Sequence, residues 1–405
     1  MNFPYFVSKR ISTNNQFSFS SIISRIAVVS IAIGLAAMIL AFFILGGFQE
    51  TIKNKIYNFK GHLEITRYNF GNSVEDPPVS TNSSFNQFYP EIDYIEHVQD
   101  YAYKAGLLKT KEEVHGVVFK GMGQNFDSVR FKQNMVDGRL FHFKDSSYSQ
   151  EVVISRNISR TLRLAVGDKV FISFVQNPPR TRRLTITGIY ETGLEEFDKQ
   201  LIIGDIGLVR RINNWPDTLI GGHEVFISDP GRMEYAEEDL FNKVDVNLYV
   251  DKVSDKYVQI FDWLNLLNQN VTIFLGLILV VAAVNMISIL LILIMERTSM
   301  IGVLQALGSS RKQIKRIFMF NGMLLIGKGL FWGNVTALII AWLQYQFHII
   351  PLDPENYYMY YVPIAWDMSA LIGLNILTFI VVTIALGVPT VVVSRIKPIT
   401  AIKFD

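Results

Sequence analysis

The sequence predicts an α-helical integral membrane protein with four transmembrane helices and an α+β domain inserted between the first and the second. Three observations carry this. Hydrophobic residues make up 50% of the 405 positions and charged residues 18%, too apolar for an ordinary soluble chain and too charged for one that is membrane throughout. The apolar residues collect in four long runs, and most of the charge lies between the first two. The Lys and Arg beside those runs fall on alternate flanks, as they do in a chain that crosses a bilayer repeatedly. Composition also excludes several chemistries. With no cysteine, there is no disulfide, thiolate metal site, Cys nucleophile or lipid-modified N-terminal Cys. A net charge of +2 gives no sign of a nucleic-acid partner.

Taken in order, residues 1–25 form a polar leader and residues 26–48 the first span, uncharged from Ile26 to Gly47. A secretory signal has an apolar run of only about 7–15 residues, so this longer run reads as an uncleaved anchor. Residues 49–254 form the inserted domain. Residues 255–295 combine a stalk with the second span, because Val258, Phe261, Leu264 and Leu267 have helical spacing that leads into the uncharged run Trp263–Met295. Residues 296–316 form a loop, 317–345 the third span, 346–367 a second loop, 368–394 the fourth span and 395–405 a tail. About 20 apolar residues cross the hydrocarbon core, and the backbone there must bond to itself, so each run is expected to be a helix.

Orientation follows from the flanks. Lys9, Arg10 and Arg25 precede span one; Arg297, Arg311, Lys312, Lys315 and Arg316 separate spans two and three; Arg395, Lys397 and Lys403 follow span four. The loop between spans three and four holds only acidic charge, at Asp353, Glu355 and Asp367. Both termini are therefore expected in the cytoplasm and the inserted domain outside.

Within that domain, short β-branched or aromatic runs bounded by turn residues predict strands at His62–Thr66, Gly116–Lys120, Glu151–Ile154, Lys169–Val175, Arg183–Ile189, Gln200–Ile203 and Glu224–Ile227. Helical patterns fall at Arg156–Leu164, Asp205–Asn213 and Met233–Lys243, and the Ser-, Asn- and Pro-rich stretch Gly71–Tyr89 reads as a mobile loop.

The loop after span two is the most informative segment. Met300, Ile301, Leu304 and Leu307 form an apolar stripe on a short helix, and Gly308 sits where a left-handed residue commonly ends one. Ser310 and Gln313 have capping-box spacing, so a new helix starts at once. Such a helix either docks into a groove on a soluble partner or lies in the lipid interface; its pattern fits both.

A resemblance bears on that choice. Glu296, Arg297, Ile301, Gly302, Leu304, Ala306, Leu307 and Gly308 fall on the pattern E-R-x-x-x-I-G-x-L-x-A-L-G. This resembles the coupling region of the FtsX/MacB-like mechanotransmitting ABC permeases. Gly46-Gly47-Phe48-Gln49-Glu50, Val281–Asn285, Tyr360–Pro363, Gly188–Gly193 with Phe197-Asp198, and Ser394–Ile402 are similar to the lipoprotein-releasing (LolC/LolE-type) subunits of that family. The resemblance implies a MacB-like periplasmic core domain at 49–254, an FtsX-like permease domain at about 270–400 and a multi-pass location in the bacterial inner membrane. The eight residues named would couple to a separate ABC ATPase, which would hold the ATP and magnesium; this chain would carry no cofactor and no catalytic or metal site. A second identical or homologous permease, membrane lipids, a lipoprotein substrate and a periplasmic lipoprotein carrier are the other implied partners. Acyl-chain contact falls on Met38, Phe42, Phe43, Gly46, Gly47 and Phe48, and carrier contact on Asn177, Pro178, Pro179 and Arg180. MacB-like export of a toxin, peptide or antibiotic, and FtsX-like signalling to a cell-wall hydrolase, are the alternatives within the family.

Two signals point elsewhere and fail. Gly322–Gly329 imitates a phosphate-binding loop, but Gly329 stands where the magnesium-binding Ser or Thr belongs, inside an apolar helix. The six histidines lack the spacing of a zinc site. Lys328 lies within span three, where it either snorkels to the interface or faces a water-filled cavity. Orientation is checked by cysteine labelling: an impermeant thiol reagent should reach Ser83→Cys from outside and Ser309→Cys only after the membrane is breached.

Overall fold

Inside hydrocarbon a peptide group can bond only to the chain itself, and each of the four apolar runs is helical accordingly. The computed structural model describes residues 19–68, 75–110, 113–144 and 148–393. Its long helices are α1 (Phe19–Lys60), α2 (Val258–Glu296), α4 (Arg311–Phe347) and α5 (Met368–Ala385); α3 (Thr298–Ala306) lies between the second and third, and α6 (Gly387–Val393) follows the last. The break near Leu386 separates α5 from α6, where Pro389 has no N–H to continue the ladder. Of the charged flanks that orient the chain, Lys9, Arg10, Arg395, Lys397 and Lys403 lie outside the described residues.

The chain divides into two units, one holding residues up to Glu50 with Trp263–Pro351 and Tyr361 onward, the other Thr51–Asp262 with Leu352–Tyr360. The first is the helix bundle. One part of its core joins Ile23, Ala27 and Ile31 to Met286, Leu290, Ile301, Phe318, Leu325 and Val382. The other joins Leu35, Met38, Ile39 and Phe43 to Leu275, Leu279, Ala337, Ala341 and Leu374. Gly329 and Gly333 allow α4 to approach α1: a Cβ added to them would lie 2.7 Å from Ile31 Cβ and 2.9 Å from the Ala32 oxygen. Their GxxxG spacing is thus taken up within one chain. Asn334 and Asn375 exchange amide hydrogen bonds of 2.7 and 2.9 Å between α4 and α5.

The second unit is a mixed α+β domain. Its strands are β1 (Leu63–Arg67), β2 (Val79–Ser80), β3 (Ile95–Lys109), β4 (Val114–Met122), β5 (Met135–Gly138), β6 (Glu151–Ser155), β7 (Lys169–Phe174), β8 (Arg180–Tyr190), β9 (Leu201–Asp205), β10 (Leu219–Ile220), β11 (Gly222–Ile227) and β12 (Leu248–Lys252). The main sheet runs β12-β1-β11-β3-β4-β9-β6-β8-β5, and β7 pairs with both β3 and β8. Pairing therefore closes on itself through β3, β4, β9, β6, β8 and β7. Phe119, Phe174, Ile172 and Leu108 are buried on these strands. Among the described residues, only β4–β9 and β6–β8 are parallel.

The expected strands and helices of this domain are present, several with longer bounds. The 15-residue β3 was not anticipated, because buried Gln99 and Lys104 blur its apolar alternation. The stretch expected to be a loop is partly ordered: β2 and a helical turn at Ser84–Phe88 follow Asp76, and Phe85 is fully buried. Residues 71–74 lie outside the described residues. Ser83 is only 7% exposed, so the external labelling site moves to Val246, whose side chain is fully exposed.

Candidate functional site

The loop after α2 folds as expected from its punctuation. Gly308 has φ +92°, and Ser310 caps α4 in a complete capping box with Gln313. Before them, α3 has two unlike faces. Ile301 and Gly302 are buried, and Met300 and Leu304 pack half-buried against the same core cluster. Three of the four residues of the expected docking stripe thus anchor α3 to its own bundle. The exposed face is made instead by Ser299, Val303, Ala306 and Leu307, with Met295 and Glu296 just before it. Val303 is 50% and Leu307 79% exposed. A short helix fastened along one side and apolar on the other presents a stiff surface to a partner at low entropic cost. Of the eight expected coupling residues, Glu296, Ala306, Leu307 and Gly308 are exposed, Arg297 is half-buried, and Ile301, Gly302 and Leu304 face inward to differing degrees.

The expected acyl-contact residues separate in a similar way. Met38 and Phe43 are buried in the bundle, 0% and 1% exposed, and Phe42 packs half-buried against that core. Phe43 also meets Trp366 at 5.8 Å. Phe48 sits edge-on to Trp263 at 5.6 Å, and the Gln49 amide donates to the Leu264 carbonyl, so α1 and α2 touch there. Gly46 makes an ordinary contact with Ala365, whereas a Cβ on Gly47 would fall 2.8 Å from the Pro363 backbone. Gly47 is therefore required by close packing against the segment that leads into α5. Further toward the start of α1, Asn285 Nδ2 donates to Ser30 Oγ at 3.0 Å, joining α2 to α1. Lys328 is exposed on α4. Gly322 and Gly329, from the imitation phosphate loop, lie in the same helix against Leu386 and Ile31.

At the tip of the β7–β8 hairpin, Asn177, Pro178 and Pro179 are exposed. Arg180 is held instead by three acceptors, the carbonyls of Arg211 and Ile212 and the Asn214 side chain. It caps the end of helix Ile206–Asn213. The Thr192-Gly193 turn has a structural cause too: Asp198 accepts from the backbone of both residues and from the Thr192 hydroxyl. Sequence reasoning missed a polar cluster of the inserted domain. Lys120 and Glu224 are 2% and 0% exposed and lie 2.7 Å apart, although nothing in their spacing marks them as partners.

A membrane bundle with a fastened turn helix, and a large domain between its first two spans, is the architecture of a transporter's transmembrane subunit. Residues 272–398 match the FtsX-like permease C-terminal family and residues 24–238 the MacB-like periplasmic core domain. The chain belongs to the FtsX/MacB-like ABC permeases. It is similar to the lipoprotein-releasing system transmembrane protein LolC of Xylella fastidiosa, 20% identical with 96% of this chain and 95% of the relative covered. It is also similar to the corresponding LolE of Haemophilus influenzae, 22% identical over 84% and 83% of the two chains. Among solved structures, the periplasmic region of MacB from Actinobacillus actinomycetemcomitans matches 53% of this chain and 98% of its own, at 16% identity and a TM-score of 0.35. The chain is thus a multi-pass membrane protein with a periplasmic domain between α1 and α2.

The two faces of α3 give a sharp test. Val303→Asp changes an exposed position and leaves the bundle core intact, whereas Leu304→Asp also damages that core. A buried unpaired carboxylate costs about 3 kcal/mol, roughly 100-fold in affinity. Val303→Asp should therefore abolish co-purification of an ATPase while leaving membrane insertion and thermal stability unchanged. Retained co-purification would favour a lipid-interface role for α3.

Proposed function

We propose that this chain is the permease subunit of an ABC transporter that extracts lipoproteins from the inner membrane and releases them to a periplasmic carrier for outer-membrane sorting. A separate ATPase subunit supplies the energy and holds ATP and magnesium, and a second identical or homologous permease completes the membrane part. The observation that carries this reading is similarity along 96% of the chain to a protein named for lipoprotein release, so the bundle and the inserted domain are matched together. The exposed face Ser299, Val303, Ala306 and Leu307 supports docking of the ATPase at the cytoplasmic side. Coupling is then carried by Glu296, Arg297, Leu307 and Gly308 with these residues, while Ile301, Gly302 and Leu304 hold α3 in place.

For cargo, Phe42, Gly46 and Phe48 are the half-buried members of the expected contact set, and an acyl chain reaches the two phenylalanines without repacking the bundle. Met38 and Phe43 become available only when the core between α1 and α2 opens. Apolar contact supplies affinity at roughly 25 cal/mol per Å² but little discrimination from phospholipid. Selectivity is therefore assigned to the Gly46–Glu50 junction, where the protein part of a cargo emerges. Carrier contact falls on Asn177, Pro178 and Pro179, with exposed Phe171 and Val175 beside them.

The test is cellular. Depletion should leave lipoproteins in the inner-membrane fraction, with rescue by the parent chain and not by Phe48→Asp. A photo-crosslinker at Phe48 should capture lipoproteins, less so with ATP. Normal lipoprotein sorting on depletion, with increased sensitivity to exported toxins or antibiotics, would replace this reading with MacB-like export.

A further inference from the structure

A row of acidic side chains crosses the periplasmic domain beside both of its helix connections. Glu64 on β1 stands opposite Asp251 on β12 and opposite Glu224 on β11, and Glu224 stands opposite Gln99 on β3. Directly opposed strand residues lie about 5 Å apart on one face, and like charges there are destabilising. Glu64 and Glu224 are moreover buried, 2% and 0% exposed. Sheet pairing alone cannot support three adjacent carboxylates.

Two of the compensating cations come from the connections themselves and the third from the sheet. Lys60 is the last residue of α1; its ammonium donates to the Tyr103 hydroxyl and lies 4.5 Å from that ring's centre. Lys256, two residues before α2, donates to Glu64 and lies 4.0 Å from Asp251. Lys120, on β4, is 2.7 and 2.9 Å from the two Glu224 oxygens and also donates to the Phe59 carbonyl at 3.1 Å. That carbonyl belongs to the last turn of α1, where a cation meets the negative end of the helix. Gly61, at φ +79°, then turns the chain into β1. Lys256, Lys60 and Lys120 outweigh burial and hold the Glu64 carboxyl below its ordinary range. Burial pushes Lys120 down and Glu224 up, so this pair is stable only while its two members stay together.

We infer that the row Asp251, Glu64, Glu224 is an electrostatic seat that fixes the end of α1 and the start of α2 to one sheet of the periplasmic domain. Lys120, Glu224, Glu64 and Lys256 are then positioning residues: they hold the helix ends, while the closed ring of strands holds the domain. With the seat intact, movement of either helix reaches the sheet and is not lost at the joint. That consequence rests on the transport reading above; the seat itself does not.

The experiment is hydrogen exchange on the purified full-length chain, which needs neither cargo nor ATPase. A failure here therefore leaves the lipoprotein assignment standing. Each variant removes both members of a pair, because an orphaned buried charge could unfold the domain. Lys120→Met with Glu224→Leu should speed exchange roughly 10-fold over residues 55–62, and Glu64→Leu with Lys256→Met should do so over residues 256–261. Strands β6, β8 and β9 should keep their protection in both. Unchanged helix ends in a folded variant would overturn the seat. Equal loosening of those strands and the helix ends would also overturn it, because the network would then be ordinary core.

Discussion

The rest of the structure depends on the rule that a peptide group in hydrocarbon must find its hydrogen bond within its own helix. It makes the four apolar runs helices, and two of those helices continue well past the hydrocarbon. α1 has 42 residues and α2 has 39, about 63 and 58 Å at 1.5 Å per residue, against roughly 30 Å of hydrocarbon. The surplus cannot lie in the bilayer core and must be stabilised by something else. In the periplasmic domain that support is polar: Lys256, just before α2, meets Glu64, and Lys120 on β4 links Glu224 to the last turn of α1.

The helix bundle uses the opposite chemistry at its turn helix. α3 is fastened by Ile301 and Leu304 within an apolar core shared with α2, α4 and α5, and its outward residues are Ser299, Val303, Ala306 and Leu307. A partner that moves this helix pushes against a close-packed bundle, and such interiors transmit displacement because they are hard to compress. Gly329 and Gly333 serve the same end by bringing α4 against α1 without intervening side chains.

How much of this was legible depended on the range of the physics. The spans, Gly308 and the Ser310–Gln313 capping box are encoded in a few neighbouring residues and were readable directly. The apolar stripe on α3 was readable as well, but a stripe does not say what it faces, and Ile301 turned out to face its own bundle. Met38 and Phe43 escaped for the same reason, since buried and lipid-facing apolar residues have the same composition in a membrane helix. β3 was hidden because Gln99 and Lys104 interrupt its alternation. The carboxylate row could not be read at all: Glu64, Glu224 and Asp251 meet only through strand register across more than 150 residues of chain.

The central claim is that ATP use at the cytoplasmic face is converted into lipoprotein release at the periplasmic one. The direct measurement is release from proteoliposomes containing this chain, its ATPase and its permease partner, with a fluorescent lipoprotein and a soluble carrier. The account predicts release that requires ATP and is lost in Val303→Asp while lipoprotein binding persists. A complex that hydrolyses ATP at its normal rate and transfers no lipoprotein to any carrier would contradict it.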